Sequence, residues 1–476
     1  MKIKMNASKI TLSRISKLLV DGNELSPEEA LVRREGFGVT LRCGADVGQS
    51  RTLQLAVLTT ANIANRCFPR AVKVTLEKDL AGAPLLVWPL NKGTLGAALA
   101  NIVGEENVIE PHGSSRNPGR VLLFGDVSPV PDALRVTFDG WIGKVGPAAT
   151  SDRLPERQYC TLSGVLAGAL AVSELFLSFA QLNIVAGRRT VGLSLWRPDL
   201  PITDPAALGM QVEVLPRDLW VLGLGHLGNA YLWSLAALPY TEPEKVEIYL
   251  NDFDVVEPEN FETGMIFAPT DAGTLKTRVC SKWLEPRGFR TRLIERRYDS
   301  NFRCRTVDPQ SEPRLALCGF DSNPARRDLP TAGFARVMES GLGGTKDNFD
   351  TISFHTLPNP RTIQELWPDL SQEEQDRQKE YLNQVALENP AYSPLGNDVC
   401  GRAELAGKSV AVPFVGATAA TLVLAESIRL LHDGAAYTDI KLALSDLHTR
   451  FAVTSRNYTV QDSAGISFCD AVINHS

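Results

Sequence analysis

The chain has 476 residues, of which 44% are hydrophobic, and a formal net charge of −6. This length allows two or three domains with a large core, and the acidic balance without a basic stripe excludes nucleic acid as the main partner. The eight cysteines never fall in a Cys-x-x-Cys spacing. That pattern excludes structural zinc and a disulfide framework, and it indicates a reducing compartment.

The N-terminal sequence lacks the apolar core of a signal peptide, so we expect a cytoplasmic protein. The longest apolar run, Leu162–Ala180, contains Ser163, Ser173, Glu174 and Ser178. These polar residues predict a buried helix rather than a membrane span, and we expect no contact with a membrane.

The first half of the chain has the pattern of an α/β domain, with apolar and β-branched runs between longer helical runs. The predicted strands are Val39–Cys43, Val72–Leu76, Leu85–Trp88, Val121–Phe124 and Leu134–Phe138. The predicted helices are Thr52–Cys67 and Leu162–Ala180. A turn-rich segment from Asp199 to Pro205 predicts the boundary between domains at 1–205 and 206–476.

The second half opens with a strand, a glycine-rich turn and a helix. The strand Leu219–Leu222 runs into Gly223-x-Gly225-x-x-Gly228. Glycines at such a turn let the backbone approach a phosphate and aim helix N–H groups at it. A second predicted strand ends at Asp252, whose carboxylate can accept a ribose hydroxyl. The stretch predicts a nucleotide site without specifying the nucleotide.

Further polar and charged residues follow this turn in a suggestive order. They are Asp254, Asn260, Lys276 before a predicted helix, Asp321 after an apolar strand, and Arg326. A lysine supplies a mobile positive charge for phosphates. A carboxylate at the carboxyl end of a strand suits a Mg²⁺ ion that bridges phosphate oxygens. The order of these residues, more than any one of them, indicates a site for a nucleotide polyphosphate.

Two helices rich in small residues are similar to each other. Gly, Ala, Leu and Glu coincide at matching offsets in 164–174 and 416–426. The similarity is either chance between two tightly packed core helices or the trace of a duplicated α/β domain. In a duplicated chain the first half has lost its phosphate loop, because residues 43–48 keep two glycines without the spacing and Asp46 lies where phosphate would bind.

The order of motifs in residues 215–435 resembles the ThiF/MoeB and ubiquitin-activating-enzyme family of adenylating enzymes. The matching elements are the glycine turn, Asp252–Phe261, Lys276 at the family's spacing, Asp321–Arg326 and Val412–Gly416. The resemblance implies an α/β fold with two Rossmann-like adenylation-type domains in tandem, the first degenerate and the second with the nucleotide site. It implies that the second domain binds ATP and Mg²⁺ and adenylates the C-terminal carboxylate of a small ubiquitin-like (β-grasp) protein.

The same resemblance assigns roles to individual residues. The implied nucleotide-binding residues are Gly223, Gly225, Gly228, Asp252, Asp254, Asn260, Lys276 and Arg326. Asp321 is the implied metal ligand, and Lys276 and Asp321 are the implied catalytic groups.

The sequence departs from this family in two places. Thr263 stands where the family has an arginine that contacts phosphate. In family members a paired domain lends an arginine from near its N-terminus, and Arg33 and Arg34 are the candidates here, although both also suit surface charges in a loop. The zinc cysteines of the ThiF/MoeB branch are absent. With the degenerate first domain, this shifts the resemblance toward ubiquitin-activating enzymes.

Ubiquitin-activating enzymes pass the activated protein to a cysteine thiolate in a crossover segment, which here is about 357–412. Cys400 lies in that segment, with Arg402 and Lys408 close in sequence to favour its thiolate. Cys160 is the alternative, because it directly precedes the matching helix of the first half.

The resemblance therefore predicts a compact, bacterial-style ubiquitin-activating enzyme that hands its product to a conjugating enzyme, with a possible homodimer. Compact relatives of this kind occur in bacterial conjugation systems linked to phage defence. The alternative is a non-catalytic module that docks a ubiquitin-like protein, since Thr263 and the missing zinc would then signal decay. NAD(P)-dependent oxidoreductases share only the glycine loop and the first acidic residue, and would not need Lys276 and Asp321.

Overall fold

The computed structural model describes residues 14–23, 25–87, 93–110, 119–306, 311–369 and 409–473, with a few further residues between 371 and 384. Within these residues the chain forms two α/β halves, each built on one large sheet. The α/β class and the tandem arrangement that the sequence predicts are confirmed.

The first half contains six helices and seven strands among the described residues. The helices are Arg14–Asn23 (α1), Pro27–Glu35 (α2), Arg51–Cys67 (α3), Lys78–Ala81 (α4), Leu95–Val103 (α5) and Leu162–Phe179 (α6). The strands are Val39–Cys43 (β1), Val72–Thr75 (β2), Val108–Ile109 (β3), Arg120–Phe124 (β4), Leu134–Asp139 (β5), Ile142–Pro147 (β6) and Val191–Ser194 (β7). Their order in the sheet is β3-β2-β1-β4-β5-β6-β7.

One predicted strand of this half, Leu85–Trp88, is wrong for the part that the structure describes. Leu85–Val87 is irregular, and the Leu85 N–H donates to the Gly93 carbonyl at 2.9 Å within a local loop. Trp88 lies outside the described residues. The edge of the sheet is formed instead by β3, which pairs with β2 in parallel.

The second half continues the numbering. The strands are Val214–Pro216 (β8), Leu219–Leu222 (β9), Glu247–Asn251 (β10), Arg290–Ile294 (β11), Leu315–Cys318 (β12), Arg336–Leu342 (β13), Thr351–Leu357 (β14), Ala435–Ala443 (β15), Asp446–Asn457 (β16) and Phe468–Asp470 (β17). The helices are His226–Ala236 (α7), Asn260–Thr263 (α8), Lys276–Leu284 (α9), Asn323–Arg327 (α10), Ile363–Leu366 (α11) and Pro413–Leu431 (α12). The main sheet has the order β11-β10-β9-β12-β13-β14-β15-β16, and β17 pairs with β8.

The two sheets have the same connections. In both, a parallel set (β3, β2, β1, β4, β5 and β11, β10, β9, β12, β13) is extended by antiparallel strands. The long helices α6 and α12 occupy equivalent places, each after the first antiparallel strand and before the second. The similarity between residues 164–174 and 416–426 therefore reflects a duplicated domain rather than chance.

Helices α6 and α12 pack against each other at the centre of the protein. Glycines permit close approach: a Cβ at Gly164 would lie 2.3 Å from the Thr52 carbonyl oxygen on α3, and one at Gly416 2.3 Å from Nε2 of His226 on α7. Both helices are long and apolar enough to cross a membrane, and 89% and 94% of their apolar windows are buried inside the protein. Their apolar surface is thus used in the core.

Each of these two helices carries, in its C-terminal half, a buried glutamate that binds an arginine from its own half of the chain. Each arginine also contacts the other half. Arg189 binds Glu174 at 2.7 Å and donates to the Ser445 carbonyl at 2.7 Å. Arg429 binds Glu426 and donates to the Leu195 carbonyl, with both side chains fully buried. These reciprocal contacts fasten the two halves together.

Because a buried charge is costly without its partner, Arg429→Ala should destabilise the protein strongly. We expect the free energy of unfolding to fall by about 3–5 kcal/mol, since Glu426 would remain buried without its cation. Urea denaturation followed by far-UV circular dichroism measures this change. Arg189→Ala is the control: its side chain is 18% exposed, so water can solvate Glu174 and the loss should be smaller. Equal losses in the free energy of unfolding would contradict the view that the fully buried Arg429–Glu426 pair costs more to break than the partly exposed Arg189–Glu174 pair.

Candidate functional site

A cleft of about 760 Å³ lies at the carboxyl ends of β9, β10, β11 and β12. The chain leaves β9 toward β10 on one side and β12 lies on the other, so the cleft sits where the strand order reverses. Ligands of open α/β sheets bind at such switch points. All the predicted nucleotide-binding and metal-binding residues except Gly228 line this cleft: Gly223, Gly225, Asp252, Asp254, Asn260, Lys276, Asp321 and Arg326.

The glycine turn has the geometry that a phosphate requires. Gly223 has φ +79°, a conformation that favours glycine. A Cβ at Gly228 would lie 2.0 Å from the Gly223 carbonyl oxygen, so only glycine lets α7 start this close to β9. A Cβ at Gly225 would meet no atom within 4 Å. Gly225 therefore faces open space at the N-terminus of α7, where N–H groups can bind an anion.

Asp252 braces this turn from the end of β10. Its Oδ2 accepts from the Leu224 N–H at 2.7 Å, and its Oδ1 accepts from the Asp254 N–H at 2.8 Å. A carboxylate has about four acceptor sites, so the lone pairs that remain can still accept a hydrogen bond from a hydroxyl group. The structure thus adds a positioning role to the ribose role that the sequence predicts.

Lys276 is one of the residues that line the cleft. It begins α9 and is 8% exposed, and its ammonium lies 3.1 Å from Asp254, whose side chain is half exposed. The Lys276 N–H donates to the Asp254 carbonyl at 3.0 Å, which fixes the backbone. The Asp254 contact holds the ammonium in the cleft.

Asp321 follows β12 and is exposed to the cleft. It makes no hydrogen bond or ion pair with another residue that the structure describes. No cluster of three or more metal-ligating side chains occurs in the described ranges. The single carboxylate of Asp321 fits Mg²⁺, which is often held by one or two carboxylates together with substrate phosphates. It does not fit a metal held by protein ligands alone.

The arginine that reaches the cleft from the first half is Arg14, not Arg33 or Arg34 as the sequence predicts. Arg14 starts α1 and lines the cleft beside Thr263. Arg34 is fully buried elsewhere, where it donates to the Cys67 carbonyl at 2.9 Å and binds Glu262 at 3.0 Å. Arg33 lies over the Phe179 ring, 5.5 Å from its centroid. The arginine of the N-terminal region that lines the cleft thus lies one helix earlier than the sequence predicts.

Arg326 lines the cleft but points most of its donors back into the protein. Its Nε and Nη2 donate to the Phe320 carbonyl at 3.0 and 2.5 Å, and its side chain is 12% exposed. The guanidinium therefore fixes the turn that carries Asp321, and the phosphate-binding role of Arg326 stays a prediction.

Sequence reasoning missed the far end of the cleft. Phe253 is 43% exposed there, and the Arg297 guanidinium lies 4.5 Å from its ring centroid. Tyr298 is 6% exposed, and its hydroxyl has no hydrogen-bond partner within the described part of the chain. Arg297 and Tyr298 follow β11, so their position at a strand's carboxyl end was the signal available in the sequence.

His226 begins α7 beside Arg14 and was also missed. Burial, reinforced by Arg14, lowers the pKa of His226 to about 3. The imidazole is therefore neutral at physiological pH and adds no positive charge at the helix N-terminus.

The structure describes one of the two candidate nucleophiles, Cys160, and not the other. Cys400 lies outside the described residues. Cys160 is 2% exposed and lies at the start of α6, and burial raises the pKa of its thiol to about 12. An inaccessible, protonated thiol is a poor nucleophile, so the geometry disfavours Cys160.

The corresponding corner of the first half is closed by its own side chains. Asp46 Oδ1 accepts from the Asp126 N–H at 2.9 Å, and Asp46 also pairs with Arg153. Arg153 binds Glu156 at 2.6 Å as well. A carboxylate thus occupies the place between β1 and β4 that corresponds to the glycine turn, as Asp46 was predicted to do.

Comparison with known proteins gives one family for both halves. Residues 38–195 match the BilD N-terminal domain and residues 215–434 match the BilD C-terminal domain. The bacterial E1-like protein BilD of Collimonas sp. (strain OK412) is 36% identical over 431 residues, which are 90% of each chain.

Among solved structures, Escherichia coli MccB matches with a TM-score of 0.35 at 15% identity, over 55% of this chain and 68% of MccB. The complex of MccB with MccA-N7isoASN matches with a TM-score of 0.34 at 16% identity, over 51% of this chain and 66% of that one.

Proposed function

This chain belongs to the BilD family of bacterial E1-like proteins, and from that premise we propose that it adenylates the C-terminal carboxylate of a ubiquitin-like protein with ATP. The carrying observation is the convergence of Arg14, Lys276 and Asp321 on the glycine turn from three separate elements. Two cations and a free carboxylate around a phosphate turn suit phosphate chemistry. A nicotinamide cofactor would not need Lys276 and Asp321.

In the proposed reaction the substrate carboxylate oxygen attacks the α-phosphorus of ATP. An acyl–O–P bond forms, the bond between the α-phosphorus and its bridging oxygen breaks, and pyrophosphate leaves with the electron pair. The N–H groups at the start of α7 bind phosphate, while Lys276 and Arg14 stabilise the charge that develops on the transferred group. Mg²⁺, held by Asp321, would neutralise charge on the phosphate oxygens.

We extend the proposal to the steps after adenylation. A cysteine thiolate attacks the acyl carbon, AMP leaves, and the resulting thioester passes to a conjugating enzyme. Cys400 is the proposed nucleophile, and a cytoplasmic conjugation system that acts in phage defence is the proposed setting.

ATP–pyrophosphate exchange tests the proposal. The chain is incubated with ATP, labelled pyrophosphate and a small β-grasp protein that ends in glycine. Label should enter ATP only when the β-grasp protein is present. Stable binding of that protein without exchange would instead favour the non-catalytic docking module, the function that the threonine at position 263 suggests.

Arg14→Ala should lower the exchange rate by about 100-fold, the usual cost of removing one donor to a developing negative charge. The control is Arg33→Ala, which removes the same side chain from a site at Phe179 outside the cleft. It should change the rate by no more than about twofold. Equal losses in both variants would mean that Arg14 acts through folding rather than through the nucleotide.

A further inference from the structure

We infer that Glu339 and His355, two buried residues behind the cleft, are positioning residues that hold Asp321 in place for the metal–ATP complex. The inference rests on the proposed function, since it concerns the same nucleotide site. Neither residue lines the cleft, so both would act only through Arg326 and the turn that Arg326 fixes.

Three charged or titratable side chains form one row across the sheet. In the strand register Glu339 on β13 is opposite His355 on β14, and His355 is opposite Asp439 on β15. His355 Nδ1 lies 2.8 Å from Glu339 Oε2, and its Nε2 lies 3.7 Å from Asp439 Oδ1. The three side chains are 0%, 7% and 6% exposed. We call this set the Glu339–His355–Asp439 row.

An arginine closes each end of the row. At the far end Arg361 binds Asp439 at 2.8 Å. At the cleft end Arg326 Nε lies 2.9 Å from Glu339 Oε1. The Nε–H itself is directed to the Phe320 carbonyl, and Oε1 accepts no hydrogen bond from the residues described. Glu339 therefore restrains the guanidinium by charge, and the hydrogen bond that orients its carboxylate comes from His355.

The restrained guanidinium in turn fixes the Asp321 turn. Both of its bonds to the Phe320 carbonyl hold the residue immediately before Asp321. Space for the guanidinium is made by Gly341 on β13, where a Cβ would lie 3.2 Å from Nη1 and Nη2. A continuous path of contacts thus runs from His355 through Glu339 and Arg326 to the peptide that carries the metal ligand.

Groups that orient a metal ligand from behind matter to affinity: their loss typically weakens metal binding by 10–100-fold. Here the donor at the Nδ1 position of His355 is the specific requirement. Asparagine places its amide N–H₂ near that position, whereas glutamine places its own near Nε2. His355→Asn and His355→Gln are therefore a matched pair that differs in the position of one donor.

The test measures Mn²⁺ uptake, as a spectroscopic substitute for Mg²⁺, by electron paramagnetic resonance with a non-hydrolysable ATP analogue. His355→Gln should raise the Mn²⁺ concentration for half-saturation about tenfold, while His355→Asn stays within about threefold of wild type. Asp321→Ala should weaken uptake by the protein more than His355→Gln does, because it removes the carboxylate itself. Melting temperatures of the two His355 variants identify any general loss of folding. Asp439→Asn, at the far end of the row, should have the smallest effect.

Two results would overturn the inference, and they are distinguishable. If wild-type protein binds Mn²⁺ with the analogue and His355→Gln binds it equally well, the positioning role is wrong and the proposed function stands. If wild-type protein takes up no Mn²⁺ with the analogue, the proposed ATP site itself fails, and the positioning role fails with it.

Discussion

Replacing Asp321 with alanine should reduce ATP–pyrophosphate exchange by about 10³-fold or more, equivalent to at least about 4 kcal/mol of transition-state stabilisation. Asp321 is an exposed carboxylate in the cleft with no ion pair to the residues described. Asp321 would hold Mg²⁺, which would neutralise charge on the phosphate oxygens. Losing the carboxylate would leave charge that Lys276 and Arg14 alone must balance. Exchange at saturating ATP and partner protein measures the effect.

The matched control for Asp321→Ala is Asp299→Asn. Asp299 lines the same cleft at the far end, after β11. The Asp299→Asn substitution removes one negative charge from the cleft at the end away from the glycine turn. We expect the exchange rate to change within about threefold. Retention of more than about a tenth of the exchange rate in Asp321→Ala would contradict the metal role, because loss of the ligand should cost at least several kcal/mol.

The residues of the nucleotide site could be predicted where each follows its own strand. Asp252 and Asp321 come after strands with clear apolar patterns, and the carboxyl ends of neighbouring parallel strands meet at one edge. The glycine turn then fixes which edge. Local sequence and one rule of sheet topology were sufficient, so Gly223, Asp252 and Asp321 lie together as expected.

Arg14 could not be predicted in the same way, because its position depends on how the first half packs on the second. The sequence shows arginines near the N-terminus but not which helix meets α8. Arg34 is held away from the cleft by the Cys67 carbonyl and Glu262. The contact with Glu262 joins residues 228 positions apart, and no periodicity in the chain indicates it.

Arg326 illustrates a second limit of sequence reasoning. Arg326 lies five residues after the candidate metal ligand Asp321, at a place where the family resemblance implies a contact with the nucleotide. The direction of its side chain depends on a carboxylate in β13 and on the space left by Gly341. Glu339 and His355 are 16 residues apart and directly opposite in register, and Asp439 is opposite His355 on the next strand of the sheet. The Glu339–His355–Asp439 row therefore becomes visible only when the strands are paired.

The second large effect is expected at Cys400, the proposed nucleophile. Cys400→Ala should abolish the covalent adduct with the ubiquitin-like protein while leaving ATP–pyrophosphate exchange unchanged, because adenylation precedes attack by the thiolate. The adduct is measured by gel electrophoresis without reductant, after incubation with ATP and the β-grasp protein, and it should disappear when reductant is added. Cys400 lies outside the residues that the structure describes, so this experiment, rather than geometry, assigns it.

Cys160→Ala is the matched control, and the structure gives the reason for expecting an intact adduct. Burial raises the pKa of the Cys160 thiol to about 12, which leaves about one thiol in 10⁵ ionised at pH 7. The thiol is also covered at the start of α6, in the half whose phosphate corner is closed by Asp46 and Arg153. An adduct that survives Cys400→Ala and disappears in Cys160→Ala would require the first half to open, and would reverse the roles assigned to the two halves.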